Sequence, residues 1–367
     1  MAQKTDFDAE WMKLLWPGLL AAEAGAAVAR RMLGAFSPPA AAPAPPPEPV
    51  WATPNNIVLE LAAARLRRFS VAAVQSGRRP VVVCAPFALH DARIADLCEG
   101  HSLMATLGAG AAPLYLVDWL SAKPAQSQRG IDDFLSDLNI FVDEIGGAAD
   151  FVGLCQGGWL SLIYAARFPE KAGKLVLAAA PIDIEAGESR LSALARSTPI
   201  ESFRELVRLG EGLARGGQAM RFWRFEMQNL ERIHQWLQSE SPPDSPQFHA
   251  KVEAFRAWSA HVLDLPGAYY LEVVEKFYKR NELARGQFVA LGKTIDLREV
   301  RHPIYLIAAR DDEVTAPEQT FSCARLVGTP RPAIRRKTAP CGHLSLFVGA
   351  QSLQELWPDV VDWLAAP

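Results

Sequence analysis

One short segment of this 367-residue chain carries residue types that could do covalent chemistry. It reads Gly153-Leu154-Cys155-Gln156-Gly157, and it follows an apolar stretch and precedes a segment with helical spacing. An ionised cysteine is a strong nucleophile, and the N-terminus of a helix favours the thiolate. Gly153 and Gly157 leave room for a sharp turn that lifts the sulfur clear of the strand. The pattern predicts a nucleophile elbow at Cys155; the alternative is a buried structural cysteine in a glycine-rich turn.

A thiol nucleophile needs a base, and the base needs an acceptor that fixes its tautomer. In elbow enzymes the chain order is nucleophile, acid and histidine, and the last two follow later strands. Asp311 ends a buried apolar run, and His343 lies in a Cys-Gly-His turn after the last predicted strand. We therefore predict a triad of Cys155, Asp311 and His343, with Asp312 as the rival acid. Cys341 lies close to His343 but has no elbow around it, and an ordinary loop histidine is the alternative for His343 itself.

The negative oxygen that forms during acyl transfer needs backbone donors near the elbow. In the elbow pattern one donor is the N–H of the residue after the nucleophile, which is Gln156 here. The second comes from the loop after the predicted strand Val81–Cys84. We place that second donor around Phe87 and Ala88.

Composition limits what else the chain could do. Half of the residues are hydrophobic and the formal net charge is −3, so there is no basic footprint for nucleic acid. The five cysteines are odd in number and irregularly spaced, which argues against a disulfide framework or a zinc site and favours a reducing compartment. The seven histidines form no ligand motif, so we expect neither a metal nor a cofactor. We also expect no signal peptide and no transmembrane segment, which makes the cytoplasm the default location.

The elements that must position these residues alternate between apolar β-branched runs and helical segments. This alternation predicts an α/β protein with a mostly parallel sheet covered on both faces.

Residues 1–36 have the spacing of an amphipathic helical arm, which either packs on the domain or serves a partner or hydrophobic surface. Residues 37–50 form a Pro/Ala-rich linker. We assign the core to 51–184 and 300–367. Residues 185–299 show no convincing buried strand and many aromatic residues, which indicates a helical cap inserted over the active-site end.

Segments well beyond the elbow resemble polyhydroxyalkanoate synthases of α/β-hydrolase fold, most closely the short class III type that works with a second subunit. The resemblance is carried by residues 53–58, 114–119, 153–158, 180–183, 265–270, 292–297, 309–311 and 341–343. Two loops depart from the family pattern. The loop 85–91 lacks the usual Asn-Arg pair, and an acidic residue stands where the family has a histidine after the acid.

The resemblance implies transfer of 3-hydroxyacyl groups from CoA thioesters to a growing polyester through a thioester at Cys155. His343 would activate the incoming hydroxyl, and Asp311 would orient His343. The implied substrates are hydroxyacyl-CoA or polyester, and the implied partners are a second synthase subunit, a polyester granule surface or a homodimer. The implied location is the cytoplasm or its polyester granules. A hydrolase of the same fold (an esterase, thioesterase or intracellular polyhydroxyalkanoate depolymerase) is the alternative, and a non-enzymatic granule or scaffold protein is a third hypothesis.

Overall fold

The computed structural model describes residues 50–70, 74, 77–223, 230–238, 241–242 and 245–367. The predicted arm over 1–36 and all but the last residue of the predicted linker lie outside the described residues.

The described residues form fourteen strands, most of which follow the apolar runs of the sequence. In chain order they are β1 (Asn55–Glu60), β2 (Ala64–Phe69), β3 (Val81–Cys84), β4 (Asp96–Cys98), β5 (His101–Ser102), β6 (Leu114–Trp119), β7 (Ala149–Leu154), β8 (Ala172–Ala178), β9 (Leu213–Ala214), β10 (Leu265–Pro266), β11 (Val289–Ala290), β12 (Lys293–Thr294), β13 (Ile304–Ala309) and β14 (Ile334–Ala339).

One eight-stranded sheet lies at the centre, in the order β1-β2-β6-β3-β7-β8-β13-β14. The pairs β1–β2 and β2–β6 are antiparallel, and every other neighbouring pair in the sheet is parallel. β6, β7 and β13 are buried along their whole length, as expected for strands that are covered on both faces. The predicted mostly parallel, doubly covered sheet is confirmed.

Helices flank the sheet and fill the segment between β8 and β13. The α-helices are α1 (Leu103–Gly108), α2 (Ile131–Glu144), α3 (Gln156–Arg167), α4 (Arg190–Ser197), α5 (Ile200–Leu209), α6 (Gly216–Trp223), α7 (Leu230–Leu237), α8 (Pro246–Ala260), α9 (Gly267–Glu272), α10 (Pro317–Phe321), α11 (Cys323–Leu326), α12 (Ser345–Val348) and α13 (Trp357–Ala365). The chain also forms 3₁₀ turns at Ala92–Ala95, Pro124–Gln126, Pro169–Lys171, Leu297–Glu299 and Arg331–Ala333, and π-helical segments at Val273–Lys279 and Ser352–Leu356.

The alternation of side chains along β3 shows how the core divides. Val82 and Cys84 join the apolar cluster that includes α2 and α3, whereas Val81 and Val83 join the cluster that includes α1 and α13. Successive residues of a strand point to opposite faces, so the two clusters are the two sides of the sheet. Burial of apolar area on both sides, worth about 25 cal/mol per Å², is the main force that holds these layers together.

The segment between β8 and β13 adds no strand to the main sheet within the described residues. Its strands are the two-residue pairs β9–β10 and β11–β12. The first pair is buried, whereas the sequence led us to expect no buried strand over 185–299. A strand of two residues is too short to show the alternating pattern that predicts strands. The boundaries 51–184, 185–299 and 300–367 stay a prediction about domains.

Within the described residues β14 is the last strand of the sheet, and it is charged. Arg335, Arg336 and Lys337 are all exposed, and Lys337 donates to the Asp359 carboxylate at 2.6 Å. Charged residues on an edge strand discourage pairing with another strand. These charges disfavour the addition of a further strand at β14.

The turn from β7 into α3 depends on the close approach of two backbones. A Cβ atom on Gly157 would lie 1.9 Å from the carbonyl oxygen of Cys84, and one on Gly153 would lie 2.4 Å from Gly158 Cα. No real side chain tolerates such contacts, and backbone atoms cannot move away cheaply. The two glycines are therefore required sterically, at the positions where the sequence pattern predicts elbow glycines.

We predict that Gly157→Ala lowers the free energy of unfolding by about 3 kcal/mol or more, because the new methyl group overpacks against backbone. The matched control is Gly217→Ala in α6, where the nearest atom to the new Cβ is Arg221 Nη1 at 3.7 Å. That variant should be neutral or stabilised by up to about 1 kcal/mol, because alanine is the better helix former. Urea denaturation of both variants measures the difference, and equal midpoints would contradict the steric argument.

Candidate active site

Cys155 lies between the end of β7 and the start of α3, in a strained conformation. Its φ of 49° and ψ of −115° are unfavourable for a residue with a Cβ atom, at a cost of about 1–3 kcal/mol. Its N–H donates to Ala178 O at 2.8 Å, and its carbonyl accepts from Gly158 N at 2.9 Å. The turn thus presents the sulfur at the N-terminus of α3, and the side chain is buried, at 7% exposure.

His343 follows β14 and lies two residues before the start of the short helix α12. Its Nδ1 donates a hydrogen bond to Asp312 Oδ2 at 2.7 Å, and both side chains are buried. The other carboxylate oxygen, Oδ1, accepts from the backbone N–H groups of Val314 and Thr315, each at 2.8 Å. Asp312 is therefore held through both oxygens, and it fixes the orientation of the imidazole with Nε2 left for another partner.

The prediction that Asp311 orients His343 is wrong. The Asp311 side chain is 65% exposed and lies 3.6 Å from Arg310 Nε. Asp312, the rival acid, forms the hydrogen bond that was expected of Asp311.

The reason lies in the register of the last two strands. Pairing continues past the end of β13, because Arg310 N donates to Ala339 O and Asp311 N donates to Cys341 O. The chain leaves the sheet one residue later than the apolar run indicates. Asp312 is then the first residue free to turn, and its side chain accepts from backbone two and three residues ahead, as aspartate commonly does in turns.

The electrostatics of His343 connect it to the elbow. Burial on its own would lower the pKa of His343, but attraction to Asp312 and then to Cys155, with side-chain hydrogen bonds to both, raises the pKa well above its ordinary value. Because Nδ1 is occupied by Asp312, Nε2 is the ring nitrogen available to the thiol. The structure thus brings Cys155, His343 and Asp312 into one buried cluster.

Of the residues predicted to supply the oxyanion hole, Gln156 directly follows Cys155, and Phe87 and Ala88 lie in the loop after β3. Gln156 is the first residue of α3, a position whose N–H has no intrahelical acceptor. Phe87 is buried in the loop after β3 and packs against Trp119 in a tilted contact and Phe134 edge to face, with ring centroids 5.8 and 5.1 Å away. Ala88 forms an isolated bridge with His90 in the same loop. Their roles as backbone donors stay predictions.

Tyr269 and Tyr278, from the segment between β8 and β13, also lie near Cys155, and no sequence pattern marks them as site residues. The Tyr269 hydroxyl donates to Gln156 Oε1 at 3.1 Å. Burial first, and the nearby Cys155 second, raise the pKa of both Tyr269 and Tyr278 above the ordinary tyrosine range. Nothing in the sequence distinguishes these tyrosines from the aromatic residues that fill the interior of the cap.

The described part of the chain shows no cluster of three or more His, Cys, Asp or Glu side chains arranged to bind a metal ion. All five cysteines are free thiols. Within the same described ranges, no helix has the length and apolar character needed to span a membrane.

Solved structures identify the fold class. The structure superposes on the monoacylglycerol lipase of Paleococcus ferrophilus with a TM-score of 0.52 and 17% identity, covering 82% of this chain and 98% of that one. An alpha/beta hydrolase fold protein from Chitinophaga pinensis gives a TM-score of 0.52 at 14% identity, covering 86% and 98%. Matches at this level of identity show the fold alone, and that fold is the α/β-hydrolase fold.

Sequence comparison identifies the family. The family described as "PHB de-polymerase C-terminus" matches residues 179–366, about half of the chain, so the chain belongs to this family. A second family, a protein of unknown function (DUF3141), matches residues 54–198.

The curated relatives carry the name that the sequence resemblance led us to expect. A "Poly(3-hydroxyalkanoate) polymerase subunit PhaC" of Synechocystis sp. is 28% identical over 329 residues, covering 85% of this chain and 84% of the relative. The protein of the same name from Allochromatium vinosum is 24% identical over 275 residues, covering 73% and 76%. The predicted resemblance to polyhydroxyalkanoate synthases is confirmed.

We predict that Asp312→Asn shifts the titration of the His343 ring to lower pH, because it removes the attraction that opposes the effect of burial. It should also reduce turnover by roughly 10²–10⁴-fold, since a neutral amide no longer holds the correct tautomer. An NMR titration of the His343 ring and steady-state kinetics measure the two effects. Asp311→Asn is the matched control and should change neither, because that carboxylate faces solvent. A larger effect from Asp311→Asn would reverse the assignment.

Proposed function

We propose that this protein transfers 3-hydroxyacyl groups from CoA thioesters to hydroxyl acceptors through a thioester at Cys155. The observation that carries the proposal is a cysteine in the strained elbow turn, beside a buried imidazole whose Nδ1 is held by Asp312. Relatives named poly(3-hydroxyalkanoate) polymerase subunits support a polyester as the product.

In the first half-reaction the thiol proton moves to His343 Nε2, and the Cys155 sulfur attacks the acyl carbonyl carbon. The negative oxygen of the tetrahedral intermediate accepts from the N–H of Gln156 and from a backbone donor at Phe87 or Ala88. The intermediate collapses by breaking the bond between the carbonyl carbon and the CoA sulfur. His343 returns its proton to that sulfur, and free CoA leaves.

In the second half-reaction the acceptor hydroxyl gives its proton to His343 Nε2 and attacks the thioester carbonyl. The bond to the Cys155 sulfur breaks, an oxoester forms, and the thiol regains its proton from His343. Asp312 remains ionised throughout and stabilises the imidazolium in both halves. His343 thus acts alternately as base and acid.

A cysteine suits this exchange energetically. Moving an acyl group from one thioester to another is nearly isoenergetic, and the step to an oxoester is then downhill. A serine ester would be a poorer donor to the acceptor hydroxyl. The replacement of the usual serine by Cys155 therefore favours transfer over simple hydrolysis.

Burial of the site supports the same reading. Cys155 and His343 are 7% and 6% exposed, so little water reaches either side chain. Exclusion of water protects a reactive acyl-enzyme from hydrolysis. In this closed arrangement a CoA thioester cannot reach the sulfur, so we infer that the cap moves to admit substrate.

The second candidate function is hydrolysis, in which water replaces the acceptor hydroxyl. It is favoured by the matched family, which is described as a depolymerase C-terminus. An intracellular polyhydroxyalkanoate depolymerase, an esterase and a thioesterase would all use the same acyl-enzyme. The two candidates therefore differ only in which acceptor reaches the thioester.

The partners and location also belong to the proposal. Relatives that are named subunits favour a second synthase subunit, and a polyester product favours work at a granule surface in the cytoplasm. A homodimer is the other arrangement that we propose to test, and size-exclusion chromatography with light scattering distinguishes it from a monomer.

We predict that 3-hydroxybutyryl-CoA releases CoA and yields insoluble polymer, and that Cys155→Ala abolishes both without unfolding the chain. Cys155→Ser should retain the fold and lose most activity, because a serine hydroxyl is far less ionised than a thiol at neutral pH. Cys98→Ser is the matched control, since Cys98 is half-buried in β4 and outside the site.

The products decide between the candidates. Free 3-hydroxybutyrate in place of polymer would support the hydrolase. If Cys155→Ala left every measured activity unchanged, both candidates would be excluded; the non-enzymatic hypothesis survives only in that case. Mass spectrometry of the peptide containing Cys155 should reveal the bound acyl group even where chain growth needs a second subunit.

A further inference from the structure

Tyr269 belongs to the helical segment between β8 and β13, yet its side chain is buried against the core. It lies in α9 and is 4% exposed. Its ring centroid is 5.2 Å from that of Phe87, and its hydroxyl donates to Gln156 Oε1 at 3.1 Å. One side chain therefore contacts both of the segments that are predicted to supply oxyanion donors.

The Tyr269 hydroxyl stays protonated and can therefore donate its hydrogen bond to Gln156. Burial is the first cause that raises the pKa of Tyr269 far above the ordinary tyrosine range, and the neighbouring Cys155 adds to it. The phenol therefore keeps its proton at every working pH and stays a donor. Gln156 is held from its side chain while its backbone N–H remains at the open end of α3.

The ring of Tyr269 also restricts the position of Phe87. Phe87 packs among the rings of Trp119, Phe134 and Tyr269, and Trp119 Nε1 donates to Ala85 O at 2.9 Å. The cavity left among these side chains and Gln156 has a volume of only about 10 Å³. Phe87 is thus packed against three aromatic rings, one of which is that of Tyr269.

A second contact ties the same loop to the segment that leads into α9. Leu263 N donates to Leu89 O at 2.6 Å, and His90 forms an isolated bridge with Val262. Leu89 has a φ of 72°, a conformation that needs support from its surroundings. The loop after β3 is therefore held at Phe87 by Tyr269 and at Leu89 by Leu263.

We propose that Tyr269 is a positioning residue for the oxyanion hole, aligning the Gln156 donor through its hydroxyl and the Phe87 loop through its ring. The inference rests on the proposed acyl transfer at Cys155. Its consequence is that the site becomes fully competent only when the cap is seated. Water that enters while the cap is displaced would meet a thioester without a complete oxyanion hole, so its hydrolysis would be slow.

The test compares two reactions of the same sulfur. Acylation of Cys155 by p-nitrophenyl butyrate develops a negative oxygen, whereas alkylation by iodoacetamide does not. We expect Tyr269→Phe, which keeps the ring, to slow the acylation burst about 10-fold, short of the roughly 10²–10³-fold loss of a whole donor. Alkylation should stay within about twofold of the wild-type rate. Tyr270→Phe is the matched control, because that hydroxyl accepts from Trp223 Nε1 instead.

A double-mutant cycle tests whether Tyr269 acts through Gln156. The losses in acylation rate from Tyr269→Phe and Gln156→Ala should be non-additive, because each removes the same hydrogen bond. Equal slowing of acylation and alkylation in Tyr269→Phe, or no slowing of either, would overturn the inference. Wild-type protein that accepts the ester but releases no CoA from 3-hydroxybutyryl-CoA would overturn only the proposed function, because the Tyr269 comparison would still be measurable.

Discussion

The close approach of α3 to the strands beside it is the constraint on which the site depends. Three residues without side chains, Gly153, Gly157 and Gly158, let the start of α3 approach the end of β7, the Cys84 carbonyl of β3, and Ala180, which follows β8. The chain passes from β7 into α3 through a sharp turn at Cys155. Cys155 therefore adopts its unfavourable φ, and the fully buried strand and nearly fully buried helix on either side supply the packing energy that maintains it.

The buried polar groups are stable only because they satisfy one another. Asp312 accepts from two backbone N–H groups and from His343, and His343 in turn interacts with Cys155. A lone charge in such surroundings would cost several kcal/mol, and pairing offsets that cost. In the proposed mechanism transfer and hydrolysis share one acyl-enzyme, and the access of water to it decides the product.

Local and non-local constraints explain how much of this structure the sequence could predict. The elbow was predictable because Gly153, Cys155 and Gly157 satisfy a steric requirement within five residues. The choice of acid was not, because it depends on how far the pairing of β13 with β14 extends beyond Ala309. The role of Tyr269 could not be predicted either, because Tyr269 is 113 positions from Gln156 in the sequence. It also looks like any other aromatic residue of the predicted cap. Contacts of that kind are set by tertiary packing and leave no periodic signal.

The charged edge at β14 has a consequence for how copies of this chain can associate. Two such edges brought together would place Arg335, Arg336 and Lys337 opposite a second set of cations, and like charges on paired strands repel. Continuous sheets running from one molecule into the next are thereby disfavoured at this side.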